Sequence, residues 1–229
     1  GVFGMLGNIS FNEGKVTELD RTNTVSASES GLPVGTGARL AQHTVGEQPY
    51  SAWVFEQLYD ADGSPIVGAY KDRNGDGVIT NDDRYYEALR PNWTFGFGTS
   101  FTYKNFDLSA NFHGQLDGKV YNAIKLAGGW RNRPVPNNSN SLSNVLDFYS
   151  GAADINFQTI QGNIPQSDYY LEDAAFLRCD NITLGYRFKN FVKDASLRIY
   201  GTVNNAFIIT KYSGQDPENF NAISQTHPT

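Results

Sequence analysis

The sequence is short of the features that mark several common classes of protein. It has one cysteine, Cys179, in 229 residues, so it cannot carry an internal disulfide framework. No run of about eighteen apolar residues occurs, which excludes a membrane-spanning helix but leaves membrane-spanning strands open. Basic residues are the minority, 18 against 24 acidic ones, and form no cluster, so no nucleic-acid partner is expected. Aromatic residues, in contrast, make up 14% of the chain, which favours a β-protein.

The segment from Trp93 to Gln115 alternates between two kinds of side chain with hardly an exception. In its first arm the odd positions are aromatic apart from Thr99, and the even positions are small or polar. After Lys104 and Asn105 the phase changes, and the second arm again sets an apolar row against a polar row. The apolar row comprises Trp93, Phe95, Phe97, Phe101, Tyr103, Phe106, Leu108, Ala110 and Phe112. Because successive strand side chains point to opposite faces, the pattern predicts a β-hairpin with one apolar and one polar surface.

A two-faced hairpin of this kind fits two environments. The apolar face of a soluble sheet packs on a second layer and is usually rich in Val, Ile and Leu. A transmembrane β-barrel turns that face to lipid, uses strands of about 9 to 11 residues, and concentrates Trp and Tyr at the membrane interfaces. Trp93 and Tyr103 lie at opposite ends of an arm of that length. The hairpin alone leaves both environments open.

The spacing of the strands along the chain separates the two environments. The predicted strands lie near 3–11, 16–19, 93–103, 106–117, 176–188 and 196–209, and are paired in that order. Turns within the pairs are short, at 12–15, 104–105 and about 189–195, whereas the segments 20–90, 118–174 and 210–229 are long. Long irregular connections argue against a compact sandwich, and membrane barrels combine long outer loops with short inner turns. We therefore expect an all-β chain that is part of a large antiparallel transmembrane β-barrel.

The first long segment contains the most chemically specific motif. Residues 72–83 fit the calcium-loop template D-x-[DN]-x-[DN]-G with an acidic residue at the twelfth position, and Gly77 permits the sharp turn. The candidate ligands are the side chains of Asp72, Asn74, Asp76 and Asp83 and the carbonyl of Val78. A hard cation takes about six or more oxygens, so we expect a structural Ca²⁺ in this loop, with Mg²⁺ as the alternative cation. The competing interpretation is a turn-rich loop with solvated carboxylates.

Four motifs stand in a characteristic order along the chain. They are DRNGDGVITNDDR at 72–84, YKNFDLS at 103–109, LRCDNITLGY at 177–186 and NNAFIITKYSGQDPE at 204–218. Together these motifs resemble the C-terminal part of SusC/RagA-like TonB-dependent outer-membrane transporters. The resemblance covers roughly residues 44 to 218.

The resemblance implies a barrel size, a transport function and a set of partners, none of which follows from the alternation of side chains. Members of that family look like barrels of about 22 strands whose lumen is filled by a plug domain. By that comparison this chain would supply six late strands, and the plug and the final strand would be absent from it. The family imports oligosaccharide or peptide nutrients across the outer membrane of Gram-negative bacteria. The implied partners are a SusD-like surface lipoprotein, the TonB complex acting through the plug, and outer-membrane lipid.

Two further sets of residues are candidates for contact with cargo, plug or lipoprotein. If the short turns are periplasmic, the long segments lie outside the cell. The long segment 118–174 supplies Trp130, Arg131, Arg133 and Tyr149, which are able to stack on sugar rings and to bond hydroxyl groups. The polar positions expected to face the lumen are Asp107, Asn111, His113, Arg187 and Arg198. The plainer interpretation is a solvated loop with anchoring rings, and a strand face that keeps the lumen wet.

Catalysis finds little support in the sequence. His43, His113 and His227 are far apart and lack metal-ligand spacing, and no G-x-S-x-G elbow occurs, so we expect no enzyme. Two other functional classes stay open: a secreted calcium-stabilised β-protein that binds glycan, and a fragment of a calcium-dependent polysaccharide-degrading enzyme. Partition of the full-length protein into outer membranes separates transport from both.

Overall fold

The structure is a computed structural model that describes residues 1–19, 26–27, 40–128, 164–193 and 195–218. Its strands, in chain order, are Val2–Phe11 (β1), Ser26–Ala27 (β2), Ala41–His43 (β3), Ser51–Val54 (β4), Gln57–Tyr59 (β5), Pro65–Tyr70 (β6), Tyr85–Glu87 (β7), Trp93–Tyr103 (β8), Phe106–Gln115 (β9), Lys119–Tyr121 (β10), Leu171–Asp173 (β11), Phe176–Val192 (β12) and Ala195–Thr210 (β13). The helical elements are Ala123–Gly128 (α1) and three 3₁₀ turns at Asn81–Asp83, Ile164–Gln166 and Asp168–Tyr170. None of the described helices is long and apolar enough to cross a membrane.

The chain divides into two compact units. The first comprises residues 1–12, 91–118 and 174–211, and the second comprises residues 13–90, 119–173 and 212–229. The first unit is a single antiparallel sheet with the strand order β1-β8-β9-β12-β13. The described part of the chain is thus built of antiparallel strands with almost no helix, in agreement with the predicted all-β class.

The backbone register gathers the apolar rows of the first unit on one face. Phe97 lies opposite Phe112, and Phe101 lies opposite Leu108. The rings contact one another along the sheet, with 4.7 Å between the centroids of Phe97 and Phe112. They are not covered, since Phe101 is 45% exposed and Phe106 is 52% exposed. Aromatic side chains left open to this extent across a whole sheet face are typical of a surface that contacts lipid or another chain.

The hairpin between β8 and β9 forms at the predicted turn. Tyr103 pairs with Phe106, so the connection has two residues, and Lys104 takes a positive φ of 54°. Two-residue hairpin turns require such left-handed residues because their twist matches that of the flanking strands. The connection between β12 and β13 is equally short, since β12 runs to Val192 and β13 begins at Ala195.

The partner of β1 differs from the expected one. Alternation paired β1 with a strand near 16–19, but residues 12–19 form no strand. Instead β1 pairs over its whole length with β8, from Val2 opposite Thr102 to Phe11 opposite Trp93. A partner of eleven residues offers β1 a full ladder of hydrogen bonds, whereas four residues at 16–19 do not.

The same pairing corrects the position of the segment 12–15. The Asn12 amide donates to the Asn92 carbonyl at 2.8 Å, at the end of the sheet away from the 104–105 turn. Residues 12–15 therefore open the first long connection and do not form a short turn on the side of residues 104–105. Val16 is held by the backbone of that connection, because its amide donates to the Glu47 carbonyl at 2.9 Å.

The second unit gives the long connections a folded structure of their own. It contains a sheet of order β2-β3-β4-β7 and two two-stranded sheets, β5-β6 and β10-β11. Its buried apolar core is formed by Leu40, Ala41, Ala52, Val54, Leu89, Tyr121, Ala123, Leu126 and Tyr170. Full burial of a large apolar side chain stabilises a fold by about 1.5–3 kcal/mol, so burial of these residues stabilises the short strands around the core.

Candidate functional site

The polar face of the five-stranded sheet carries all the strand residues predicted to face a lumen. They are Asp107, Asn111, His113, Arg187 and Arg198, which the register places on the same side of β9, β12 and β13. The first three residues lie on one strand at alternate positions, and Arg187 pairs directly with Arg198. The structure therefore brings the predicted set together on one surface.

An ion pair on this face joins two strands across a third. Arg198 Nε donates to Asp107 Oδ1 at 3.0 Å, and Arg198 Nη2 donates to Asp107 Oδ2 at 2.5 Å. Gly185 of the intervening β12 lies beneath the pair. A Cβ atom at that position would be 2.5 Å from Asp107 Oδ2 and 2.7 Å from Arg198 Nη2. The bidentate geometry thus requires the absence of a side chain at residue 185.

A bulge in β12 adds Asp180, a polar residue that the alternation did not identify, to this face beside Asn181. Asp180 is the extra residue, because Cys179 lies opposite Phe112 while Asn181 lies opposite the preceding residue of β9. A bulge changes the phase of a strand, so consecutive residues are able to serve the same face. Asp180 Oδ1 lies 2.7 Å from His113 Nδ1, and Asn181 Oδ1 accepts from Asn111 Nδ2 at 2.9 Å.

Chemically, this face offers paired charges and amide groups rather than a reactive constellation. The Asp107 carboxylate is paired with the Arg198 guanidinium of β13, and the Asp180 carboxylate lies beside the His113 ring of the adjacent β9. Such a surface is hydrated and forms hydrogen bonds with polar solutes.

The acidic loop is folded around its own side chains. Asp72 accepts the amides of Gly75 at 2.6 Å and Gly77 at 2.7 Å. Asn74 Oδ1 accepts the Asp76 amide at 2.9 Å, and Asp76 Oδ1 in turn accepts the Val78 amide at 2.8 Å. These contacts are Asx-type turns, in which a short side chain bonds the backbone two or more residues ahead.

Asp83, the twelfth residue of the loop, is turned inward. It is fully buried, and its carboxylate accepts the amides of Thr80 at 2.8 Å, Arg73 at 2.9 Å and Asn74 at 3.3 Å. Thr80 completes a capping box for the 3₁₀ turn that contains Asp83. The hydrogen bond from the Thr80 amide lowers the pKa of Asp83, with burial opposing and the Asn74 and Arg73 amides assisting.

The positions of the oxygen atoms in this loop show how far it is already arranged to bind a cation. Asn74 and Asp76 are exposed and Asp72 is half-buried, with Asn74 Nδ2 donating to Asp76 Oδ2 at 3.0 Å. Among the described residues, no group of three or more His, Cys, Asp or Glu side chains converges as a metal site does. The donor set is nevertheless rich in oxygen, as Ca²⁺ requires, and cation binding would need these oxygens to turn away from the amides.

A second carboxylate centre connects three separate segments of the second unit. Glu172 accepts from the Ser213 amide and hydroxyl, both at 2.8 Å, and from Asn122 Nδ2 at 3.2 Å. Lys125 Nζ lies 3.4 Å from Glu172 Oε1. Burial raises the pKa of Glu172, but the Ser213 hydrogen bonds and the Lys125 charge outweigh burial, so the net pKa is lowered. No local sequence signal identifies this centre, since its members are 41 and 50 residues apart.

The residues predicted to contact substrate or lipoprotein were Trp130, Arg131, Arg133 and Tyr149. All four lie outside the described residues, so their role stays a prediction.

Known proteins similar to this chain share one description. "TonB-dependent receptor SusC" of Bacteroides thetaiotaomicron is 35% identical over 228 positions, which cover 92% of this chain and 21% of that protein. "TonB-dependent receptor P26" of Formosa agariphila is 28% identical over 232 positions, covering 94% of this chain and 22% of that protein. The chain therefore spans about a fifth of the length of these relatives.

A solved structure shows the same fold. The structure of the RagAB peptide transporter superposes with a TM-score of 0.65 at 21% identity, covering 94% of this chain and 24% of that chain. No model of a known protein family matches the chain. The sequence relatives and the shared architecture agree with the two-faced antiparallel sheet described above. The chain belongs to the SusC/RagA-like TonB-dependent outer-membrane proteins of Gram-negative bacteria, and it is a segment of their β-barrel.

Proposed function

We propose that the protein containing this chain imports oligosaccharide or peptide nutrients across the outer membrane by a TonB-dependent mechanism. The observation that carries the proposal is the five-stranded sheet, with exposed aromatic rings on one face and paired polar groups on the other. The relatives support transport rather than catalysis, because they are named as receptors and the structural neighbour as a peptide transporter.

The two faces have distinct roles in this proposal. The rings of the apolar face contact the hydrocarbon of the outer membrane, as barrel exteriors do. The polar face encloses the aqueous interior and contacts either a plug domain or the passing solute. We assign to it Asp107, Asn111, His113, Arg187 and Arg198, together with Asp180 and Asn181.

A surface lipoprotein of the SusD type is the proposed partner at the outer opening. The described second unit is folded, with a buried core and a charged hub at Glu172, so it offers a firm surface rather than loose loops. We propose that substrate and lipoprotein meet on the long connections, and that TonB supplies energy through a plug outside this chain.

Uptake by intact cells tests the transport proposal. A strain lacking the full-length protein is compared with a complemented strain for accumulation of labelled oligosaccharides and labelled peptides, with and without a proton uncoupler. We expect complementation to restore uptake of one class only, and the uncoupler to abolish it. Equal uptake in both strains for both classes contradicts the proposal. Recovery of the full-length protein in a secreted soluble fraction would favour the alternative, a calcium-stabilised glycan-binding β-protein.

We also propose that the acidic loop takes up a structural Ca²⁺, with Mg²⁺ as the weaker competitor. The support is the alternate spacing of Asp72, Asn74 and Asp76 on an exposed turn, with the Val78 carbonyl and Asp83 completing the set. Asp83 would have to exchange amide partners for the ion, so its contribution is expected to be the smallest.

Limited proteolysis tests the calcium proposal in the full-length protein. Added Ca²⁺ should protect the region 60–90, and a chelator should remove the protection. The double variant Asp72→Ala with Asp76→Ala should show no response, whereas the control Asp62→Asn, at an exposed turn, should respond as the natural protein does. A cleavage rate that is independent of Ca²⁺ in the natural protein contradicts the proposal.

A further inference from the structure

Three polar residues in the second unit form a cluster that belongs to none of the sites above. The Arg90 guanidinium carbon lies 5.1 Å from the centroid of the Tyr50 ring, within the range of a cation–π contact. The His43 and Tyr50 rings meet edge to face, with 4.1 Å between centroids and an interplanar angle of 63°. Tyr50 is 43% exposed, and Arg90 is exposed as well.

The backbone beneath the cluster is held in an unusual conformation. Tyr50 has a φ of 63°, which aromatic residues rarely adopt and which persists only where the surroundings impose it. Ser51 imposes it from one side, because its amide and its hydroxyl both donate to the Gln48 carbonyl, at 3.1 Å and 2.7 Å. Gln48 fixes Arg90 in the same way: its side-chain amide donates to the Arg90 carbonyl at 3.2 Å and its oxygen accepts the Arg90 amide at 2.9 Å.

The cluster has hydrogen-bonding capacity that the described part of the chain does not use. Arg73 and Lys125 have carboxylate partners, at 2.7 Å and 3.4 Å, whereas no described carboxylate pairs with Arg90. Neither the Tyr50 hydroxyl nor the His43 imidazole hydrogen-bonds to any described residue.

The geometry favours an anionic ligand that also carries hydroxyl groups. The Arg90 guanidinium lies against the Tyr50 ring, and its planar fork of N–H donors matches a carboxylate in a bidentate manner. The phenol and the imidazole beside it each donate or accept one hydrogen bond. A uronic acid presents ring hydroxyls close to its carboxylate, whereas the group bonded to the side-chain carboxylate of Asp or Glu in a peptide is a methylene.

We propose that His43, Tyr50 and Arg90 form a binding site for a carboxylate-bearing sugar of an oligosaccharide. Arg90 holds the carboxylate, and Tyr50 and His43 bond the adjacent hydroxyls. This inference depends on the proposed import function and narrows its cargo to acidic oligosaccharides.

Calorimetric titration of the full-length protein in detergent tests the site. The probes are trigalacturonate, the neutral galactose trisaccharide of the same linkage, and triaspartate. Arg90→Gln removes the charge, and Arg90→Lys keeps the charge without the planar fork. The control Lys104→Gln removes the same charge at the exposed hairpin turn of the first unit.

We expect the natural protein and Lys104→Gln to bind trigalacturonate at least about tenfold more tightly than the neutral trisaccharide. Arg90→Gln should weaken trigalacturonate binding by about tenfold to a hundredfold, the usual effect of losing hydrogen bonds to a charged group, with Arg90→Lys intermediate. Three results would contradict the proposed site. They are equal affinity for the charged and neutral sugars, an unchanged trigalacturonate affinity in Arg90→Gln, and tighter binding of triaspartate than of trigalacturonate. If cells still take up neutral glycans in any of those cases, the proposed import function holds and only the proposed site is wrong.

Discussion

Replacing Glu172 by Gln should loosen the contact between the Ser213 backbone and the segments around Asn122 and Glu172 in the second unit. The variant keeps the size of the side chain but removes its charge and one of its two acceptor oxygens. The carboxylate receives the Ser213 amide and hydroxyl at 2.8 Å, and it lies 3.4 Å from Lys125 Nζ. Hydrogen bonds to a charged group contribute about 1.5–3 kcal/mol, so the free energy of local opening should fall by about that amount.

The pH dependence of this contact follows from the direction of the pKa shift. The pKa of Glu172 in the folded chain is below its ordinary value of 4.5. A carboxylate with a lowered folded pKa stabilises the fold at pH values above its unfolded pKa, and that contribution is lost as the pH falls through the folded value. The natural protein should therefore hold the segment firmly at neutral pH and lose the contact only below about pH 4.5.

Hydrogen–deuterium exchange of the full-length protein measures the effect directly, because the Ser213 amide is itself one of the donors. At pH 7 the variant should exchange this amide about 10 to 100 times faster than the natural protein. Asp62→Asn serves as the matched control, since it removes the same charge from an exposed turn. Exchange within about twofold of the natural protein, or an equal acceleration in the control, refutes the reasoning.

Two further substitutions probe the packing of each unit. Ser167→Ala should destabilise the second unit by about 1–3 kcal/mol, because the fully buried Ser167 hydroxyl donates to Gln57 Oε1 at 2.7 Å and that oxygen would lose its partner. Thermal unfolding checks this, and an unchanged midpoint contradicts it. Gly185→Ala should lower the temperature at which the barrel loses its folded mobility on a gel, because the new methyl would lie 2.5 Å from Asp107 Oδ2. The control Gly201→Ala meets no atom within 4 Å, so equal shifts for the two variants contradict the argument.

The sequence predicts those parts of the fold whose pattern lies within one short stretch of residues. The hairpin of β8 and β9 is readable because alternation, strand length and a two-residue turn all lie within 93–115. The partner of β1 is not readable in this way, since Phe11 pairs with Trp93 across a segment of 81 residues that carries no pairing signal. Assuming a local partner at 16–19 was therefore the source of the error.

On the polar face, too, some residues follow from the local pattern and others depend on the pairing of distant strands. Asp107, Asn111 and His113 follow from a regular period of two along β9. Asp180 does not, because its place depends on a bulge that forms only against the neighbouring strand. In the acidic loop the motif identified the residues that bond the backbone, but the inward orientation of Asp83 depends on the capping box with Thr80.

The short sheets of the second unit were missed for a third reason. Strands of three or four residues, such as Ala41–His43 and Ser51–Val54, are too short to show a periodic pattern. They are ordered by burial of Leu40, Val54 and Tyr170 in one core, whose members come from distant parts of the sequence. Such tertiary packing leaves no signal in a local window of residues.

Site-directed labelling of the full-length protein in lipid bilayers determines which face of the five-stranded sheet contacts the membrane. In a Cys179→Ala background, single cysteines replace Phe101 and Leu108 on the apolar face, and Ser100 and Ser109 on the polar face. Each cysteine carries an environment-sensitive fluorophore, and quenching by lipids with a label on their acyl chains is measured. We expect strong quenching at positions 101 and 108, where the side chains contact lipid, and little at positions 100 and 109. Equal quenching at all four positions, or the reverse pattern, would contradict the assignment of the aromatic face to lipid.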